Sequence, residues 1–177
     1  MKIRRYLMLV AACTFFLGKS IAANNEKPFV IPELQEWRGA QGMFTPSATS
    51  RIVWLGKDSA VARVANQFAE DYETMFGRKL AVVQGRASAG DFVFSLTGDR
   101  QLGEEGYAVR IADRVSISAP KAKGLYWATR TILQMTEQNS DQALPKGAVR
   151  DYPDYAIRGF MMDCGRKFIP MDFLRDY

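Results

Sequence analysis

Any chemistry in this chain has to be done without histidine: its 177 residues contain none, and only two cysteines, Cys13 and Cys164. That composition excludes Ser-His-Asp triads, Cys-His pairs and His-based metal sites. Two cysteines are too few for a four-cysteine zinc site or a disulfide framework. The densest group of chemically capable side chains is near the C-terminus, where Arg158, Asp163, Cys164, Arg166 and Lys167 lie within ten positions. The plainest reading of Arg166 is an ion pair with Asp163. Cys164 has no base to activate it and reads as a small core hydrophobe. Trp37, Trp54 and Trp127 could stack on sugar rings, but each sits in an apolar pattern, which favours the core. Glu70-Asp71-Glu73 reads as the solvated face of a helix, and Glu104-Glu105 as a turn before a strand. No cofactor and no metal is implied.

Charge narrows the partners. The formal net charge is +5, yet residues 1–22 hold Lys2, Arg4, Arg5 and Lys19 and no acid; without them 20 basic residues face 19 acidic ones, a net of +1. Nucleic-acid binding would need a basic stripe on the folded part, and the sequence offers none, so that class is set aside. The same 22 residues have the layout of a secretory signal peptide. A cationic start is followed by an apolar run over Tyr6–Gly18, then Lys19-Ser20-Ile21-Ala22 with small residues suited to cleavage after Ala22. The apolar run is shorter than the ~20 residues of a membrane span. The expectation is an exported protein, periplasmic or extracellular, with no membrane span. The stretch Val10-Ala11-Ala12-Cys13 also leaves a lipid anchor on Cys13 open.

These groups must be positioned by regular elements. Pro28–Leu34, with two prolines that cannot donate to a ladder, reads as an edge segment. Arg51–Leu55 reads as a short strand. Asp58–Phe76 carries apolar residues at helical spacing (Val61, Val64, Ala65, Phe68, Tyr72, Met75, Phe76), with Asp58 or Ser59 as cap and Gly77 as stop. Lys79–Gln84 and Asp91–Thr97 read as strands, and Gly106–Ile111 and Arg114–Ala119 as a tight hairpin through Ala112-Asp113. Lys121–Gln138 is a second amphipathic helix, and Asn139–Lys146 a polar loop. Residues 23–149 therefore form an α+β domain: a mostly antiparallel sheet covered by two helices.

From residue 150 the pattern changes. Ala156–Cys164 is a dense, non-alternating apolar run, as suits a strand buried on both faces of a parallel sheet. Pro170, Asp172, Phe173, Leu174 and Tyr177 then read as the opening of a helix with a buried stripe. One strand and one helix close nothing, and a (β/α)8 barrel takes about 250 residues. The expectation is that residues 150–177 are the first β/α step of a truncated (β/α)8 TIM barrel. The rival reading has this tail pairing with the first domain's sheet.

The residues themselves support a family resemblance. The stretch Leu144–Tyr177, with Val149-Arg150-Asp151-Tyr152-Pro153 leading into RGFMMDCGRKFIPMDFLRDY, resembles the first strand of the catalytic barrel in family-20 glycoside hydrolases, the exo-acting β-N-acetylhexosaminidases. GYAVRIADRVSISAPKAKGLYWATRTILQM is similar to the end of the non-catalytic α/β domain that precedes that barrel, while residues 24–100 match in layout alone. The Arg158-Gly159…Asp163…Arg166 spacing selects this family among those sharing the small domain. The resemblance implies hydrolysis of terminal N-acetylglucosamine or N-acetylgalactosamine from oligosaccharides and glycoconjugates, with the substrate's own acetamido oxygen as nucleophile. An adjacent Asp-Glu pair is the family's catalytic signature; this sequence contains no Asp-Glu dipeptide, so no catalytic residue is assigned and this chain alone is expected to be inactive. The resemblance carries substrate binding to Arg166, whose planar donor fork can hold two neighbouring hydroxyls, and a supporting role to Asp163. Arg158 falls on the barrel's structural end. Lys167 stands where many relatives have His. Two alternatives remain: a non-catalytic carbohydrate-associated module, or another glycosidase family with the same first domain.

Overall fold

The computed structural model describes residues 24–163 and 165–176. The signal segment, Cys13, Cys164 and Tyr177 lie outside the described residues.

Two helices form where the apolar spacing places them, and the first is also capped at both ends. Helix α1 spans Ser59–Phe76; the Asp58 carboxylate accepts the Ala60 N–H at 2.8 Å, and Gly77, at φ 67°, donates its N–H to the Glu73 carbonyl. Its buried stripe is Val61, Ala65, Phe68 and Tyr72. Helix α2 spans Ala122–Glu137 and buries Leu125, Ala128, Ile132, Leu133 and Met135. Thr129 and Thr136 face the core as well, because their hydroxyls donate back to the Tyr126 and Ile132 carbonyls at 2.6 and 2.8 Å. The first turn of α2 approaches the hairpin so closely that a Cβ on Gly124 would collide with the Gly106 carbonyl oxygen.

Both helices cover one face of a seven-stranded sheet with the order β1-β7-β5-β6-β4-β2-β3. The strands are β1 Glu36–Phe44, β2 Arg51–Trp54, β3 Ala81–Gln84, β4 Phe92–Leu96, β5 Tyr107–Ile111, β6 Val115–Ala119 and β7 Leu144–Asp151. The expected mostly antiparallel sheet is corrected to a mixed one. β2–β3, β2–β4 and β4–β6 pair in parallel; β5–β6, β5–β7 and β1–β7 pair antiparallel. Connectivity accounts for the β2–β3 pair: α1 links the two, and a helical crossover on one face returns the chain in its original direction; α2 likewise brings β7 back in the direction of β6, on the other side of β5. The core lies between sheet and helices, built on an aromatic cluster in which Phe68 meets Phe92, Tyr72 and Phe94 at centroid distances of 5.5, 5.6 and 5.7 Å.

Two sheet elements differ from expectation. Pro28–Leu34 forms no strand; it buries Val30 and Leu34 and is tied to α2, where Gln134 bonds both backbone groups of Ile31 at 2.9 and 3.0 Å. The sheet's edges are β1 and β3 instead. The expected loop Asn139–Lys146 runs into β7, whose Pro145 is tolerated because β7 pairs with β5 only from Gly147 onward.

In the C-terminal stretch the expected strand is not formed among the described residues. Residues 156–163 form no strand, and Ile157 and Met161 are 91% and 88% exposed. They do not extend either edge of the sheet, so the rival reading of the tail fails too. A strand buried on both faces needs partners on both sides, and the described residues supply none. Helix α3, Met171–Asp176, opens directly after Pro170 with Asp172 in its first turn, as expected. Its Phe173 and Leu174, however, are 52% and 37% exposed, outside the buried core. No barrel step is formed among the described residues, and no helix there is long and apolar enough to cross a membrane.

Candidate functional site

Arg166 sits on the exposed stretch between β7 and α3, its side chain 91% accessible. Its Nε lies 3.2 Å from Oδ2 of Asp163, and the other Asp163 oxygen accepts the Gly165 N–H at 2.9 Å. Asp163 thus anchors a local turn and holds the guanidinium beside it. The pair is brought together as the sequence suggested; no other expected site residue joins it. Arg158 points elsewhere, to the Tyr155 carbonyl and to Glu105.

The better-formed cavity lies where the chain leaves β7. About 400 Å³ in volume, it is bounded by Ile31–Pro32, the outer side of α2 at Trp127 and Arg130, and the outgoing residues Tyr152–Arg158. Its floor is a buried hydrogen-bonded group. The Tyr107 hydroxyl lies 2.5 Å from the Thr131 hydroxyl and donates to Oδ2 of Asp151 at 2.6 Å. Burial, reinforced by the Asp151 carboxylate, raises the Tyr107 phenol far above its ordinary range, against the opposing effect of Thr131. Gln35 completes the clasp: its N–H donates to Asp151 at 3.0 Å and its side-chain amide to Asp154 at 2.8 Å.

Glu105, read from sequence as an ordinary turn residue, is 14% exposed and pairs with both Lys123 of α2 and Arg158 of the outgoing segment. Lys123 first, then Arg158, hold its carboxyl below the usual glutamate range. Asp71, read as part of a solvated helix face, pairs with Arg130 and ties α1 to α2. Arg130 also lies over the Tyr126 ring, 4.7 Å from its centroid. Of the three tryptophans assigned to the core, Trp37 and Trp54 pack against it, but Trp127 stands on the cavity wall, 39% exposed. No signal in the sequence marked the Glu105–Arg158 and Asp71–Arg130 pairs, because each joins residues more than fifty positions apart.

Chemically, the cavity offers aromatic walls and carboxylates already engaged by internal donors. This arrangement can position the outgoing chain. Among the described residues there is no group of three or more His, Cys, Asp or Glu that could hold a metal ion.

Comparison with known proteins places this geometry. Residues 27–152 match the family model for glycosyl hydrolase family 20, domain 2. A β-N-acetylhexosaminidase of Cellulomonas fimi is 36% identical over 83 residues, covering 45% of this chain and 17% of that protein. A β-hexosaminidase of Porphyromonas gingivalis is 32% identical over 85 residues, covering 43% and 11%. A solved structure of a Streptomyces plicatus β-hexosaminidase mutant in complex with GlcNAc superposes with a TM-score of 0.71 at 23% identity, over 85% of this chain and 31% of that one. The chain therefore spans less than a third of the length of these relatives.

Proposed function

Because the chain belongs to glycosyl hydrolase family 20 through its domain 2, we propose that it is the N-terminal part of an exported exo-β-N-acetylhexosaminidase. In this reading residues 1–22 direct export, residues 23–149 are the non-catalytic domain, and residues 150–177 begin the catalytic barrel. The observation that carries the proposal is the match of residues 27–152 to domain 2. Solved relatives that share this fold include one bound to GlcNAc, which supports terminal N-acetylhexosamines as the substrate class.

The proposed reaction is substrate-assisted. The acetamido oxygen attacks the anomeric carbon as the bond to the leaving oxygen breaks, and a carboxylic acid protonates that oxygen. Water then opens the cyclic intermediate with overall retention. The acid and the acetamide-orienting carboxylate are assigned to an Asp-Glu pair further along the barrel. Arg166 is assigned to hydroxyls of the terminal sugar, with its fork of donors released from Asp163 or shared with it. Its high exposure supports this reading, since a guanidinium that is 91% accessible can still take up a ligand.

The test has two arms. This chain, incubated with an aryl N-acetylglucosaminide, should give no turnover above blank. The protein made from the reading frame extended past Tyr177 should hydrolyse it, and Arg166→Ala should raise KM more than it lowers kcat. A stop codon directly after Tyr177 would refute the hydrolase reading and favour a stand-alone carbohydrate-associated module.

A further inference from the structure

The sheet has a second face that neither helix covers, and its charges are unevenly matched. Three arginines there, Arg38 on β1, Arg110 on β5 and Arg114 in the β5–β6 turn, make no side-chain hydrogen bond or ion pair among the described residues. Neighbouring basic groups are spoken for. Arg150 is held by Asp99 at 2.5 Å and by Glu36 at 3.7 Å, and Lys146 by Asp113 at 3.0 Å. Arg51 is paired with Asp91 at 2.7 Å. The acids on this face are thus consumed by other bases, and the three arginines remain as surplus positive charge.

Their placement is ordered by the ladder. Arg38 lies opposite Ala148, Ala148 opposite Arg110, and Arg110 opposite Ser116. Arg38 and Arg110 therefore stand in one cross-strand row, two strand spacings or about 10 Å apart, with small side chains between and beside them. Arg110, Arg114 and Ser116 also line a shallow concavity of about 340 Å³, together with Ala89, Ala112 and Asp113. Asp113 puts a carboxylate into the same concavity, but its charge is offset by Lys146, so the concavity stays net positive.

We propose that the β1–β7–β5–β6 part of this face, through Arg110, Arg114 and Ser116 with Arg38 as an outlying contact, binds an acidic polysaccharide bearing sulfate or uronate groups. A guanidinium fork matches the planar carboxylate and the oxyanion edge of a sulfate. Ser116 adds a hydroxyl donor, and the flat, small-residue row admits an extended chain. Single-stranded nucleic acid fits less well, since its sites add aromatic platforms for base stacking, and the exposed aromatics among the described residues lie on the segment before β1 (Phe29), on α2 and on the residues after β7 instead. The choice of a glycan rests on the family-20 reading above; the charge surplus does not. The role would be to hold the protein on an acidic glycan matrix.

The chain is titrated with a size-defined heparin oligosaccharide across a series of salt concentrations. Single-stranded DNA of equal charge and neutral dextran serve as comparison ligands. The expected result is salt-dependent heparin binding at least tenfold tighter than binding to the DNA, with none to dextran. The Arg110→Gln/Arg114→Gln variant should lose at least tenfold in affinity and lower the slope of log K against log salt by about two. Arg38→Gln should lower it by about one. Lys121→Gln, a cation at the start of α2, should leave binding unchanged. Circular dichroism checks that each variant is folded. The proposal is overturned by absent heparin binding, by binding the arginine substitutions do not weaken, or by DNA bound equally well. None of these results depends on hydrolase activity, so the glycosidase reading can fail while this one stands, and the reverse.

Discussion

Asp91→Asn isolates one buried charge. The Asp91 side chain is 2% exposed at the start of β4. Its oxygens accept four hydrogen bonds: from the Arg51 N–H at 3.2 Å, Arg51 Nε at 3.2 Å, Arg51 Nη2 at 2.7 Å and the Ser88 N–H at 2.8 Å. Asparagine keeps the shape but turns one oxygen into a donor. Whichever way the amide is placed, two donors then face an N–H group, and the ionic component is gone. Two charge-assisted bonds at about 1.5–3 kcal/mol each set the upper bound. Arg51 is partly solvated and recovers some of that from water, so the expected cost is about 2–3 kcal/mol. Urea denaturation followed by tryptophan fluorescence measures it. Burial alone would raise the Asp91 carboxyl's pKa; the donors from Arg51 and Ser88 outweigh it and hold the carboxyl below its usual range. A carboxylate depressed in the folded state contributes its full stability above the unfolded value, about 3.9, and loses it as pH falls through the folded value. The gap between the natural chain and Asp91→Asn should therefore be full at neutral pH and shrink below about pH 4. A cost below about 0.5 kcal/mol, the range of ordinary surface changes, or a gap that is the same in acid as at neutrality, would refute this account.

Three further outcomes follow from the packing. Phe68→Ala should destabilise by about 3–5 kcal/mol, seen in the same urea titration, because Phe68 is fully buried at the centre of the aromatic cluster. Gly124→Ala should lower stability by about 1–3 kcal/mol despite alanine's better helix propensity, since the added methyl meets the Gly106 carbonyl; a raised melting temperature would contradict the close approach. Glu105→Gln should speed amide hydrogen exchange across residues 152–158 while leaving β4–β6 protected, because Glu105 links the outgoing segment to α2 through Arg158 and Lys123.

The parts of the fold legible in the sequence were those set by local rules. Helix α1 announces itself through Asp58, the Phe68–Tyr72 stripe and Gly77, and the β5–β6 hairpin through Val109, Ile111, Val115 and Ile117. β1 was not legible. Its run Glu36-Trp37-Arg38-Gly39-Ala40-Gln41-Gly42 has no alternation, and β7 holds it in place through the ladder. Strand direction was also hidden, because parallel pairing depends on where each crossover helix lands. At the candidate site, Asp163 and Arg166 were legible as neighbours three residues apart. Glu105 and Asp71 were not, since their partners Arg158 and Arg130 lie more than fifty positions away and only the folded chain brings them together. Ala156–Met162 shows the reverse case: an apolar run that reads as a buried strand is mostly exposed, with no neighbouring strand among the described residues to receive it.

The pairing of Glu36 with Arg150 brings the way into this sheet and the way out of it side by side at one corner. Tension applied through the two flanking segments would pull β1 and β7 apart from that corner, rung after rung, instead of sliding them along each other. Ladders loaded in that direction give way one bond at a time. The Gln35 bridges to Asp151 and Asp154 sit at the first point to be strained, like a stitch at the end of a seam. Mechanical toughness in this domain would thus be decided by two side-chain contacts at the corner, largely independent of the aromatic core behind them.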